Sequence, residues 1–216
     1  MIKIDLHTHS IVSPDGGITA EQYRQALDIK KLDVIAITDH NRIDFALKMH
    51  TELGPEKIIV GEEINTNQGE IIGLFLNELV EPNQEINVTI EKIKSQGGLV
   101  YIPHPFETVR SGITRETLDQ IKDDVDMIEG ANGRAYFQNF GPDAHTWARL
   151  NNVASFASSD AHRAKALGKT YTELSELPTP SNLCELTKTA RKFYNRPSLA
   201  DILAPKLNRL KKVFGG

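Results

Sequence analysis

Short apolar strands alternate with helical stretches along the first two thirds of the chain, and this alternation limits the fold more than any other feature. Ile2, Ile4 and Leu6 alternate with Lys3, Asp5 and His7, the period of a half-buried strand. Thr19-Ala20-Glu21-Gln22 reads as a capping box opening a helix that runs to Lys31, with Tyr23, Ala26 and Leu27 on one face. Strands are expected at Val34–Thr38, Ile58–Val60, Ile71–Phe75, Leu99–Ile102, Met127–Glu129 and Val153–Ala157. A turn at Asn67-Gln68-Gly69 joins the third and fourth strands. Helices are expected over 86–95, 114–122 and 142–150, the first ending at Gly97-Gly98 and the last opening on Pro142. About seven strands in this pattern imply an α/β sheet, a small barrel rather than an open one.

After Ser181 the strands are expected to stop, with Leu183, Leu186, Ala190 and Phe193 marking an amphipathic helix. The chain then divides into a barrel domain over 1–195 and a basic amphipathic C-terminal segment over 196–216. That segment carries five Lys/Arg and one acid, a charge of +4, so the rest of the chain sums to −8. Leu199, Ile202, Leu203, Leu207, Leu210, Val213 and Phe214 form its apolar stripe, broken at Pro205. It reads as a closing helix packed on its own barrel, with a dock for a partner or an anionic surface as the other reading.

A chain with 39% hydrophobic and 25% charged residues is not disordered, and 216 residues bury a core without disulfides. Its apolar runs fall well short of the ~18 residues that a membrane span needs. One cysteine, Cys184, can make neither an internal disulfide nor a thiolate zinc site. With a strand pattern starting at Met1 and no apolar leader, the expected location is the cytoplasm. A net charge of −4 argues against a nucleic-acid binder, short oligonucleotides excepted.

Five of the seven histidines fall at or just beyond strand ends: His7 and His9, His40, His104 and His162. Loops leaving the C-terminal ends of strands form one rim of an α/β fold, where active sites gather. Carboxylates stand at matching places: Asp15, Asp39, Glu62, Glu63, Glu129 and Asp160. So many imidazoles and carboxylates on one rim call for cations between them, and this donor set suits manganese, iron and zinc. His7-Thr8-His9, leaving a strand, puts both rings on one face, and Asp160-Ala161-His162 repeats the device. Asp39 is placed to orient the His40 ring from behind. Arg110 and Arg134, in loops leaving the same rim, are candidate phosphate grips. Lys165 and Lys169 are weaker candidates, and His50 and His145 have no assigned role.

Asp5-Leu6-His7-Thr8-His9-Ser10, Thr38-Asp39-His40-Asn41, Gly61-Glu62-Glu63-Ile64, His104-Pro105-Phe106, Ile128-Glu129-Gly130 and Ser158-Ser159-Asp160-Ala161-His162 resemble the ordered motifs of the PHP (polymerase and histidinol phosphatase) family. The resemblance spans residues 5 to 162. It implies a distorted (β/α)7 barrel with C-terminal helices, two or three divalent metals (Mn, Fe or Zn) on the C-terminal rim, and phosphoester hydrolysis. By the same resemblance His7, His9 and Asp160 hold the first metal and Glu63 bridges the first and second. His104 and Glu129 complete the second, and His40 and His162, with Asp15, the third. The catalytic set is then Glu63, Asp15 and Asp39, with Asp15 or a third-metal water supplying the leaving-group proton.

Asp15, Glu63, Glu129 and Asp160 against three divalent cations leave the rim near +2, and a bridging hydroxide leaves it near +1. A phosphate monoester dianion suits that charge better than a neutral amide. The expected activity is therefore hydrolysis of small phosphate monoesters of nucleotide, histidinol-phosphate or sugar-phosphate type by a metal-bridging hydroxide. The alternatives are a metal-dependent C–N hydrolase, a 3'-5' exonuclease and a non-catalytic metal-binding module. A folded Glu63→Ala protein is expected to release no phosphate in a steady-state assay, and normal turnover would sink the scheme.

Overall fold

The computed structural model describes residues 1–214. Seven strands and their connections make the body: β1 (Ile2–Asp5), α1 (Ala20–Asp28), β2 (Val34–Ile37), α2 (Asp44–Leu53), β3 (Ile58–Thr66), β4 (Gly69–Leu74), α3 (Ile86–Ser95), β5 (Leu99–Ile102), α4 (Arg115–Gln120), β6 (Met127–Asn132), α5 (Gly141–Asn151) and β7 (Ala154–Ser158). They are followed by β8 (Tyr171–Leu174), α6 (Leu183–Leu186), β9 (Arg191–Phe193) and α7 (Leu199–Phe214). All nine strands join one sheet in the order β7-β6-β5-β4-β3-β2-β1-β8-β9.

The ladders β1–β2, β2–β3, β5–β6 and β6–β7 are parallel, while β4 runs against both its neighbours. The sheet curls until β7 meets β8. There the Thr172 hydroxyl receives the Ala157 N–H at 2.9 Å and donates to the Ala157 carbonyl at 3.1 Å, so a side chain stitches the seam. Higher up, Thr8 bridges Ala161, and the Asp5 carboxylate accepts the Ser159 N–H at 2.9 Å. The result is a nearly closed, distorted α/β barrel with helices outside it. The helix α1 starts on the expected capping box, with both reciprocal hydrogen bonds formed at Thr19 and Gln22.

Strand alternation sorts the core into two layers. Ile35, Ile37, Ile58, Val60, Ile71, Val100, Ile102 and Ile128 point outward to meet the helices, whereas Ile4, Val34, Ala36, Ile59, Ile72, Leu74, Tyr101, Met127 and Phe156 fill the barrel. Leu183 and Leu186 of α6 close its floor. Inward-facing positions change character along the strands: Ile59, Gly61, Glu63 on β3, and Met127, Glu129 on β6. The lower barrel is therefore apolar and the upper end ionisable. Gly61 marks the change, because a Cβ there would sit 2.8 Å from Thr38 Cγ2 and 3.1 Å from the Gly73 carbonyl.

Two expectations fail beyond residue 170. The strands do not stop at Ser181, since Phe193 lies in β9, paired with Tyr171, and only Leu183–Leu186 are helical in the segment read as a helix. Leu183 and Leu186 share a face at helical spacing for less than two turns before the chain extends to pair with β8. The strand β8 and the helix α2 were also not anticipated. The segment over 196–216 forms α7, with Pro205 inside it, and its last two residues lie outside the described ones. Among the described residues no helix is long and apolar enough to cross a membrane.

Cys184 sits beside the floor of the barrel, with its thiol 3.7 Å from the Asp126 carbonyl. Burial, then the charge of Asp126, pushes the thiol up to about 11. Thiolate is the reactive form, so its fraction at neutral pH drops about 100-fold. Iodoacetamide at neutral pH is expected to alkylate Cys184 at least tenfold more slowly than in the urea-unfolded chain; equal rates would show that α6 does not shield the floor.

Candidate metal centre

The rim is assembled by backbone pairing just past the strand ends. His9 N–H donates to the Ala161 carbonyl at 2.8 Å and Thr38 N–H to the Thr8 carbonyl at 2.9 Å, locking the His7–His9 segment between the ends of β2 and β7. His40 pairs with Glu63 in a parallel bridge. His104 and Asp160 both adopt left-handed backbone, at φ 26° and 50°, a conformation that costs about 1–3 kcal/mol and is typical of functional sites.

Four donor atoms converge at the centre: His7 Nε2, His9 Nε2, Glu63 Oε2 and Asp160 Oδ1. Their measured separations are 3.0 Å between the two imidazoles, 3.4 and 3.2 Å from these to Glu63, and 3.6 and 3.5 Å to Asp160. Donors about 2.1 Å from a tetrahedral ion stand about 3.4 Å apart, so His7, His9 and Glu63 have the dimensions of a cation site, with Asp160 at a similar distance from both imidazoles. Glu63 Oε2 is buried with no hydrogen-bond partner among the described residues, yet it also lies 3.1 Å from His40 Nδ1. The other oxygen, Oε1, is 3.0 Å from His104 Nε2. One carboxylate thus faces four imidazoles.

A second cluster joins Asp15 to His9, His40 and His162. Asp15 Oδ1 is 3.3 Å from His162 Nε2, itself a buried nitrogen without a hydrogen-bond partner, and Oδ2 is 3.5 Å from His40 Nε2. The groups His9-Asp15-His40-His162, His7-His9-Glu63, His7-His104-Asp160 and His40-Glu63-Glu70 each bring their donor atoms within 4.8 Å of one another. Soft thiolates are absent from these groups, and imidazole with carboxylate is the donor chemistry of Mn, Fe and Zn.

Electrostatics show how crowded this is. Burial opposes charge on His7, but Asp160, Glu63 and Glu129 outweigh it and hold the ring well above its ordinary pKa. Burial likewise opposes charge on His9, and contacts to Asp160 and Glu63 raise it to about 9. His162, stacked on His9 with ring centroids 4.1 Å apart, is pushed down to about 3 by burial, His9 and Arg134. Burial favours the neutral form of Asp160, but Arg134 and His7 prevail and hold it well below the carboxylate range.

The sequence-based candidates do not all do what was expected. Glu63 points into the cluster, while Glu62, on the opposite face of β3, accepts the Val80 N–H at 3.0 Å. Glu129 is not among the clustered donors: its Oε1 meets His7 Nδ1 at 3.2 Å, and its Oε2 accepts His104 N–H and Asn132 Nδ2, both at 2.7 Å. It holds the His7 ring from behind. Asp39 does not orient the ring of His40; its oxygens accept Ser10 N–H at 2.6 Å and Ser10 Oγ–H at 2.5 Å, so it pins the loop carrying His9. Arg110 and Arg134 do line the cavity, but both are engaged by Asp160, at 2.5 and 3.2 Å, and Arg110 also forks onto Glu107. His50 binds the Ile58 carbonyl, His145 is exposed on α5, and Lys169 pairs with Asp201.

Two participants were missed. Glu70, at the start of β4, lies 3.7 Å from His40 Nδ1 and 3.8 Å from His104 Nε2, and burial, then Glu63, pushes it up to about 9. The hairpin register would have exposed it: Asn65 pairs with Glu70 and Glu63 with Ile72, so Glu70 shares a face with Glu63. The second is α7, which forms one wall of the cavity of about 510 Å3 above the cluster. Arg209 binds Asp15 Oδ2 at 2.9 Å, and Asn208 Nδ2 donates to the carbonyls of Asp15 and His162.

The uncharacterized protein MJ1587 of Methanocaldococcus jannaschii is 39% identical over 167 residues, 71% of this chain and 89% of that protein. A second protein of that organism, the uncharacterized MJ0417, is 35% identical over 184 residues, 82% of this chain and 72% of its own length. The family model PHP_C, described as PHP-associated, matches residues 142–192. The chain belongs to the PHP family. A two-domain protein from Bacteroides vulgatus, described as containing a predicted PHP-like metal-dependent phosphoesterase, shares the fold at a TM-score of 0.71 and 19% identity, over 96% of this chain and 69% of that one.

Metal analysis of the purified PHP chain by mass spectrometry is expected to find at least two divalent ions per chain. Asp15→Asn should lose about one equivalent, because it replaces a charged carboxylate with a neutral amide that has a single oxygen. Glu63→Gln should lose more, and full retention in both would separate these carboxylates from the metals.

Proposed function

We propose that this protein is a metal-dependent phosphoesterase acting on small phosphate monoesters of nucleotide, histidinol-phosphate or sugar-phosphate type. The observation that carries this reading is the Glu63 carboxylate, which faces donors on both its oxygens and has one oxygen without a hydrogen bond. In this reading His7, His9, Glu63 and Asp160 hold one divalent ion. Glu63 shares a second with His104, and Asp15, His40 and His162 hold a third. Divalent ions in such a place supply a nucleophile from water at neutral pH and positive charge for phosphoryl oxygens.

The chain's own groups set the rest. The His7 ring is held by Glu129 at Nδ1, which leaves Nε2 directed at the cluster. Asp160 Oδ1 faces the imidazoles and Oδ2 accepts from Arg110, while Arg134 Nη1 donates to both oxygens, so the two arginines are tied to the cluster. Arg134 lines the cavity and carries the planar donor fork that suits a phosphate oxygen.

Asp15 carries no proton to give. Burial favours its neutral form, but His162, His40 and the other imidazoles hold it far below the carboxylate range, with Arg209 on its Oδ2. In this reading the leaving oxygen takes its proton from solvent rather than from Asp15.

Phosphate release from a panel of monoesters and diesters, with manganese-loaded wild type and His9→Ala, tests the reading. Manganese-dependent release from monoesters, lost at least 100-fold in the variant, is expected. No release from a folded, metal-loaded wild type, or turnover of amides alone, would overturn it.

A further inference from the structure

The helix α7 turns its apolar side away from the barrel. Leu199, Leu203, Leu207, Leu210, Val213 and Phe214 are between 44% and 80% exposed, while the only buried residues of this sixteen-residue helix are Asp201, Ala204 and Pro205. Its attachment is polar. Asp201 binds Lys169 at 2.8 Å and the Ser198 N–H and hydroxyl, Asn208 and Arg209 bind around Asp15, and Lys212 Nζ donates to the carbonyls of Ile11, Ser13 and Gly16. A helix of this length is marginal in water unless its apolar face is buried. Here that face has no partner among the described residues.

We propose that this stripe is the contact between two copies of the chain, packed α7 against α7 in antiparallel fashion about a two-fold axis. Leu203, Leu207, Leu210 and Phe214 are spaced four, three and four residues apart, the seam of a helix pair. The exposed stripe offers about 600 Å2 per copy, close to the ~800 Å2 per partner of a standard interface. Ile11, 45% exposed beside the end of α7, widens it. A two-fold contact needs one self-complementary patch, which a single helix provides. Antiparallel packing opposes the helix dipoles and keeps Lys211 of one copy at the level of Leu203 of the other, whereas parallel packing would set Lys206 and Lys211 against themselves.

A second copy brings the same apolar stripe and covers this one, whereas an anionic membrane would repel the −8 body that the helix is fixed to. Because Arg209 and Leu210 also line the cavity, pairing would hold that wall in place.

Sedimentation velocity with light scattering on the full chain tests this. Wild type is expected at about 48 kDa, twice the chain mass. The double variant Leu203→Glu, Leu207→Glu is expected at the mass of one chain with an unchanged far-UV spectrum, a weakening of at least 100-fold. Leu207 lies at the middle of α7, so Leu207→Cys in a Cys184→Ser background should form an interchain disulfide on mild oxidation, and this reports on pairing even where the glutamates prevent folding. A monomeric wild type, a dimer that survives both glutamates, or a dimer whose Leu207→Cys variant gives no cross-link would overturn the proposal. So would a monomer that floats with phosphatidylserine vesicles, since that outcome makes lipid the occupant.

Discussion

Glu63 is the group around which the rim is organised. Its two oxygens face His7, His9 and His40 on one side and His104 on the other, and all of these side chains except His40 are nearly inaccessible to solvent. Stripping a carboxylate of water costs several kcal/mol after relaxation, and hydrogen bonds here do not offset that for Oε2. Divalent cations would. The strained backbone at His104 and Asp160 and the pinning of the His9 loop by Asp39 both serve to bring donors to this one carboxylate.

The barrel makes that crowding tolerable by separating it from the apolar core along each strand. Inward positions run from Ile59 through Gly61 to Glu63 and from Met127 to Glu129, so the same alternation that packs the floor delivers carboxylates to the top. A second ring of partners keeps the donors in place: Glu129 on His7, Asn132 on Glu129, and Arg110 and Arg134 on Asp160. This arrangement commits the arginines structurally before any ligand arrives, a consequence of placing a carboxylate where five imidazoles already gather.

Much of this was legible in the sequence because strand ends and ionisable residues coincide. His7, His9, His40, Glu63, His104, Asp160 and His162 converge as their spacing and family resemblance implied; the resemblance also singled out Glu63 over Glu62, and the period of two along β3 sends Glu62 to the other face. What the sequence hid is three-dimensional. Whether Glu129 and Asp39 face a cluster or its supports depends on which hydrogen-bond donors lie nearest, and Ser10 and the His104 N–H reach them across 29 and 25 residues of chain. The strands β8 and β9 are short and half polar, and pairing of β8 with β1 and of β9 with β8, rather than their own hydrophobicity, makes them strands. The stripe on α7 was visible, but not that its polar side would face the barrel.

The reversed strand has an effect of its own. The parallel strands β1, β2, β5 and β6 reach the rim at their C-terminal ends and then descend through helices, so lengthening those loops disturbs a helix as well. The strand β4 instead starts at the rim, joined to β3 by the turn at 67–69, and places Glu70 beside the cavity within one residue of that turn. A hairpin tip can grow or shrink in steps of two residues without moving any helix or breaking the barrel seam. Along the rim it is therefore the point at which the cavity mouth can be reshaped most independently of the fold, and Glu70 is the donor whose position such changes would alter first.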